Sequence, residues 1–167
     1  MKSSSIRKIV VALCAGALLV AALAGCSSQN TAANQQQSDN RQYMTQVNQV
    51  MDDLSAKLTG FTDAVARKDV VSMRTQADNA FKSIDELNKL TVPDELKDIQ
   101  QDYVDGATEL KDALNSYINL YTEIDSATEA QQFDWTTYDK RLSDIKQKYD
   151  DGIAKLQDGD NKASEKN

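Results

Sequence analysis

Residues 96–124 read LKDIQQDYVDGATELKDALNSYINLYTEI. Within them Leu96, Ile99, Tyr103, Gly106, Leu110, Ala113, Tyr117, Leu120 and Ile124 follow one another in alternating steps of three and four. A strand repeats every second residue; steps of three and four draw one stripe along an α-helix. Their mean, about 3.5 residues, is the period of helices wrapped round each other in a left-handed sense. Ile118 and Tyr121 flank the stripe and widen it.

The same spacing occurs three more times. A first stripe runs Val47, Val50, Leu54, Leu58, Phe61, Val65, and a second runs Val70, Met73, Ala77, Ala80, Ile84, Leu87. The last is Trp135, Tyr138, Leu142, Ile145, Tyr149, Gly152, Leu156. Sparse glycine and a single proline agree with helices. Three breaks separate the stripes. Continuing the first beyond Val65 would place Lys68 and Ser72 in a core, so the phase changes there, with Asp69 as the new N-cap. Between the second and third, Pro93 suits a first helical position and Asp94 and Glu95 suit the positive end of the dipole. Between the third and fourth, Gln131 and Gln132 stand where a stripe needs apolar groups, and Asp134 is a candidate cap. If this last break fails, the chain from Pro93 onward is one helix about 100 Å long at 1.5 Å per residue, and the molecule is a coiled hairpin or three-helix form.

The expected fold is therefore all-α: an antiparallel up-down four-helix bundle with a heptad-spaced core over residues 41–158. An internal echo runs through it. Leu96 to Leu110 and Leu142 to Leu156 match at a fixed offset of 46 in Leu, Asp, Ile, Gln, Tyr, Asp, Gly and Leu. A duplicated helix and the small vocabulary of heptad cores both account for the match. Gly106 and Gly152 stand out, since a mid-helix glycine costs about 1 kcal/mol relative to alanine. On a core face a missing side chain admits a close neighbour; the expectation is a ring such as Trp135, Tyr117 or Tyr138.

The chain opens with a basic head, Lys2, Arg7 and Lys8, then about 15 apolar or small residues from Ile9 to Leu23. That is the layout of a signal peptide, residues 1–25, and is short of the roughly 20 residues of a spanning helix. At its end stand Leu23-Ala24-Gly25-Cys26. This resembles the lipobox of bacterial lipoproteins. The resemblance implies cleavage between Gly25 and Cys26, a diacylglycerol group on the Cys26 thiol, and a protein held by palmitate-type chains on the extracytoplasmic side of the cell membrane. Two chains suffice for stable anchoring where one is marginal. Ser27 would permit outer-membrane sorting in a two-membrane bacterium; a single-membrane bacterium is equally open. Cys14 would leave with the signal, so the mature chain would have no free thiol.

From Ser27 to about Asn40 the residues are Ser, Gln, Asn, Thr, Ala, Asp without apolar periodicity. Residues 26–40 are thus expected to be a lipidated, disordered tether, and 159–167 a disordered tail.

Composition excludes much chemistry. There is no histidine, hence no Ser-His-Asp set, no Glu-x-x-His di-iron site and no His/Cys zinc site. Asp158-Gly159-Asp160-Asn161 is a poor calcium loop, with Lys162 in a ligand position. Asp52-Asp53 and Asp150-Asp151 are neighbours pointing about 100° apart on a helix, so they do not share a proton. No catalytic or metal residues are expected, and no cofactor beyond the lipid. The net charge is −7, and −10 after loss of Lys2, Arg7 and Lys8; no basic patch invites nucleic acid. Two functions remain open. The first is a non-enzymatic, lipid-anchored helical module that binds or braces another envelope component, similar in layout to small helical-bundle lipoproteins of bacteria. The second is a receptor for a small apolar or aromatic ligand in a slot formed by Tyr103, Gly106, Tyr117, Trp135, Tyr138, Tyr149 and Gly152. Core packing accounts for the same seven positions.

Overall fold

The computed structural model describes residues 31–166. Gly25, Cys26 and the whole signal segment lie outside the described residues. Four α-helices follow in order: α1 (Thr31–Arg67), α2 (Val70–Leu87), α3 (Lys97–Asp125) and α4 (Tyr138–Glu165). A 3-10 turn, Asp94–Leu96, leads into α3. Each helix packs chiefly on its chain neighbours, α3 on α4 most extensively, then α1 on α2, then α2 on α3. The fold is an all-α helical bundle, and α3 and α4 are separate helices rather than one long rod.

The stripes form the core. Val47, Leu54, Leu58, Phe61 and Val65 of α1 are buried, as are Met73, Ala77, Ala80, Ile84 and Leu87 of α2. Ile99, Tyr103, Leu110, Ala113, Tyr117 and Leu120 do the same for α3, with Leu96 of the 3-10 turn leading into it, and Leu142, Ile145 and Leu156 for α4. Each large aliphatic side chain so buried contributes about 1.5–3 kcal/mol. The core also takes in Tyr43 and Met44, which extend the α1 stripe toward the N-terminus, and Met51 and Ala64, which widen it.

The α1–α2 link is only two residues long. Lys68 takes φ of 58°, and its N–H and that of Asp69 donate to Val65 O and Ala64 O, each at 3.0 Å. This closes α1 with a Schellman motif. Asp69 then caps α2, accepting from the Ser72 N–H at 3.0 Å, as expected.

Three expectations need correction. Residues 31–40, read as disordered tether, are the first turns of α1. They contain no Gly or Pro, and adding turns to a formed helix avoids the cost of nucleation. Residues 159–165, read as tail, continue α4, because Gly159 and Ala163 extend the three-four spacing beyond Leu156 and are buried. Asp134 does not cap α4, which begins at Tyr138; its carboxylate instead accepts from the Thr136 N–H at 2.9 Å and hydroxyl at 2.6 Å.

The echoed segments meet each other. A Cβ on Gly106 would lie 2.7 Å from Gly152 O and 2.9 Å from Leu156 Cγ. One on Gly152 would lie 2.9 Å from Gly106 O and 3.0 Å from Leu110 Cγ. The contact is reciprocal: each glycine faces the other and the leucine four residues beyond it. The repeat thus makes a locally two-fold crossing of antiparallel helices. The glycines admit backbone, not a ring as expected. Beside the crossing, Arg141, Lys148, Lys155 and Lys162 stand seven apart and pair with Glu123, Asp112, Glu109 and Asp102 at 2.6, 3.8, 3.8 and 2.5 Å. Exposed pairs contribute about 0.2–1 kcal/mol each, so burial holds α3 and α4 together while the ladder fixes their register.

Candidate functional site

The seven residues expected to form a slot fall into four separate places. Tyr103 is fully buried near the N-terminal end of α3. Its hydroxyl donates to Asp160 Oδ1 at 2.6 Å, and its ring lies on Gly159, where a Cβ would stand 3.0 Å from Cε1. A ring does fit over a glycine here, but over one the stripes did not include. Burial, then the Asp160 bond, pushes the Tyr103 hydroxyl far up; burial raises Asp160 too, against the lowering effect of the tyrosine bond. Gly106 and Gly152 form the crossing. Tyr117 packs edge-on to Phe61, centroids 5.9 Å apart, and with Tyr149 borders a cleft of about 20 Å³ between α1, α3 and α4. That is about the space of one water, so no ring-sized ligand fits there.

Trp135 and Tyr138 form the fourth place. The expectation of a buried Trp135 fails: it sits in the α3–α4 loop, 52% exposed. Its phase matched the stripe, but α4 starts three residues later. Phe133, Trp135 and Tyr138 make an aromatic cluster, with Phe133–Trp135 centroids 5.0 Å apart at 77° and Trp135–Tyr138 5.7 Å apart. Tyr138 is buried and Phe133 packs on the core, so the indole is braced from below with its free side outward. Short local bonds fix the loop: Thr128 N–H to Gln131 O at 3.0 Å, Gln131 N–H to Thr128 Oγ1 at 3.1 Å, and Thr137 hydroxyl to Asp134 O at 2.9 Å.

Under this loop lies a cleft of about 280 Å³, lined among others by Glu123, Gln131, Gln132, Phe133, Thr137 and Arg141. Arg141 donates both terminal nitrogens to Glu123, at 2.6 and 2.9 Å, and lies over the Phe133 ring at 5.9 Å. The bidentate bond holds the Glu123 carboxyl below its ordinary range. The α1–α2 turn reaches the same end: Tyr121 donates to Lys68 O at 3.4 Å and Arg74 to Thr122 Oγ1 at 3.2 Å. Val71, 76% exposed, adds a second bare apolar side chain there.

The opposite end carries α1's first turns. Tyr43 is 1% exposed, its hydroxyl has no hydrogen-bond partner among the described residues, and burial pushes it up to about 12. It borders a cleft of about 480 Å³ with Lys89–Pro93.

The chain matches no family model, no curated protein and no solved structure. Among the described residues no group of His, Cys, Asp and Glu is placed to hold a metal, and no helix is long and apolar enough to cross a membrane. The candidate site is therefore the aromatic end. Sequence reading missed Phe133 and the Glu123–Arg141 pair. The run Phe133-Asp134-Trp135 was the available signal: two large aromatics in a segment already assigned to a break.

Proposed function

We propose that the protein is a lipid-anchored, extracytoplasmic module that binds or braces another component of the cell envelope through its aromatic end. Cys26 carries the diacylglycerol, and no chemical transformation is assigned to the bundle. One observation carries the reading. Helix α1 opens five residues after Cys26 and runs for 37 residues, about 55 Å at 1.5 Å per residue. It ends at the face that bears Trp135 and Val71. An anchor at Cys26 therefore puts the bare apolar side chains at the far end, away from the lipid. Exposed aromatics of this kind supply the central contacts of interfaces.

Two measurements test this. Labelled palmitate must enter the wild-type protein and not Cys26→Ser, which must leave the membrane fraction. A photo-crosslinking residue at position 135 must capture an envelope component that one at Lys57, on the flank of α1, does not. Retention of Cys26→Ser in membranes would sink the anchor; equal capture from both positions would sink the docking end.

A further inference from the structure

We propose that the cleft beneath the α3–α4 loop, whose Phe133 wall is backed by the half-exposed Trp135, is a binding site for a neutral glycan. The inference rests on the proposed envelope-binding function and deepens it by naming the class of partner.

A sugar ring has two chemical characters. One face presents C–H groups, which rest on an aromatic plane. The rim presents hydroxyls in adjacent pairs, which are met by planar amides and by groups that both donate and accept. The aromatic end supplies both. Trp135 offers a half-exposed indole held edge-to-face by Phe133 at 5.0 Å, and Phe133 itself lines the cleft. Gln131 and Gln132 bring two carboxamides, and Thr137 a hydroxyl, to the same lining. Each amide presents both donors and acceptors. The volume, about 280 Å³, lies at the small end of ligand pockets, roughly 300–1,000 Å³, and suits one or two rings with the rest of a chain outside.

Charge selects a neutral ligand. The cation of the cleft, Arg141, is already spent on a bidentate bond to Glu123, and Asp134 adds a carboxylate to the lining. An anionic polymer would face these acids on a molecule of net charge −7. The polar lining also disfavours an apolar guest, which would leave the amides unpaired.

The chain holds a single tryptophan, packed on the Phe133 wall of the cleft, so its emission reports on this end of the bundle. The test uses the full chain in detergent micelles, titrated with chitotetraose, cellotetraose and a sulfated oligosaccharide. The expected result is a saturable emission change with at least one neutral oligosaccharide and a dissociation constant at or below about 1 mM. Calorimetry then shows binding at least tenfold weaker in Trp135→Ala and in the double variant Gln131→Ala, Gln132→Ala, and unchanged in Lys57→Ala on α1. Far-UV circular dichroism checks that each variant folds. Silence with both neutral oligosaccharides, binding that survives Trp135→Ala, or tighter binding of the sulfated compound overturns the proposal. If both neutral compounds are silent while position 135 crosslinks to an envelope protein, the glycan is wrong and the docking function stands. If position 135 also captures nothing, both fall.

Discussion

Replacing Gly106 by alanine puts two effects of opposite sign in competition. Alanine is the better helix former by about 1 kcal/mol, and Gly106 lies mid-helix with ordinary backbone angles. The added methyl, however, would sit 2.7 Å from the carbonyl oxygen of Gly152, where contact becomes ordinary only at 3.4 Å. The obstacle is backbone on the facing helix, so α3 and α4 must part by about 0.7 Å. A gap of 0.5–1 Å forfeits roughly a quarter to a half of each dispersion contact it opens. The Leu110 and Leu156 contacts lie within that reach. Overpacking costs about 1–3 kcal/mol, and an unyielding obstacle places this site in the upper half of that range. The net loss is about 1–2 kcal/mol, or roughly 2–8 °C in Tm at 2–4 °C per kcal/mol. Gly60→Ala is the control, because its methyl meets only the side chain of Gln76 at 2.9 Å. That chain swings aside, so the substitution raises Tm. Thermal melts followed by far-UV circular dichroism compare the two. A Gly106→Ala protein as stable as wild type would refute the backbone-contact account of the crossing.

Lys68→Gly relieves a left-handed residue at φ of 58° and stabilises the protein by about 0.5–1 kcal/mol in urea unfolding, after glycine's extra unfolded-state entropy is deducted. Tyr103→Phe strands the half-buried Asp160 carboxylate without its 2.6 Å donor and costs about 1–3 kcal/mol near neutral pH. Because burial raises Asp160 above its unfolded value, the folded state takes up its proton first. The Tyr103→Phe deficit therefore shrinks as pH falls through that raised value; a deficit independent of pH would contradict the assignment. Glu123 has the opposite sign: Arg141 holds it below its ordinary range, so its stabilisation is present above that range and is lost as pH falls through the lowered value. Urea unfolding of Glu123→Gln in acid should show a smaller loss than wild type.

The helices were legible because heptad spacing is a local property of sequence. Leu54, Met73, Leu110 and Leu156 are core because a stripe of that width must be covered, and no knowledge of neighbours was needed. The ends were less legible. Thr31–Asn40 carry no apolar stripe, and Gly159 looks like a helix breaker until Tyr103 is seen lying on it. The roles of Gly106 and Gly152 were half legible. Their place on the core face was readable from spacing, but that they meet each other depends on the register of α3 against α4. The basic heptad from Arg141 to Lys162 encodes that register, yet its acidic counterpart is recognised only once the helices are known to run side by side. Trp135 shows the limit of spacing, since a residue in phase with a stripe is not core if the helix starts after it. The aromatic end depends on loop geometry, which no periodicity reports. The proposed anchoring rests wholly on residues 1–26 and on their likeness to a lipobox.

The helices lean on one another as two hairpins, α1 with α2 and α3 with α4, joined more lightly through α2 and α3, and the sharp link at Lys68–Asp69 leaves the first pair no slack to search. Each hairpin can therefore close on its own neighbours in sequence before the two join. Proteins whose partners lie this near in sequence fold in microseconds to milliseconds. The packing of α1 is completed only later, when Phe61 meets Tyr117 of α3 and Tyr43 meets the segment Lys89–Pro93.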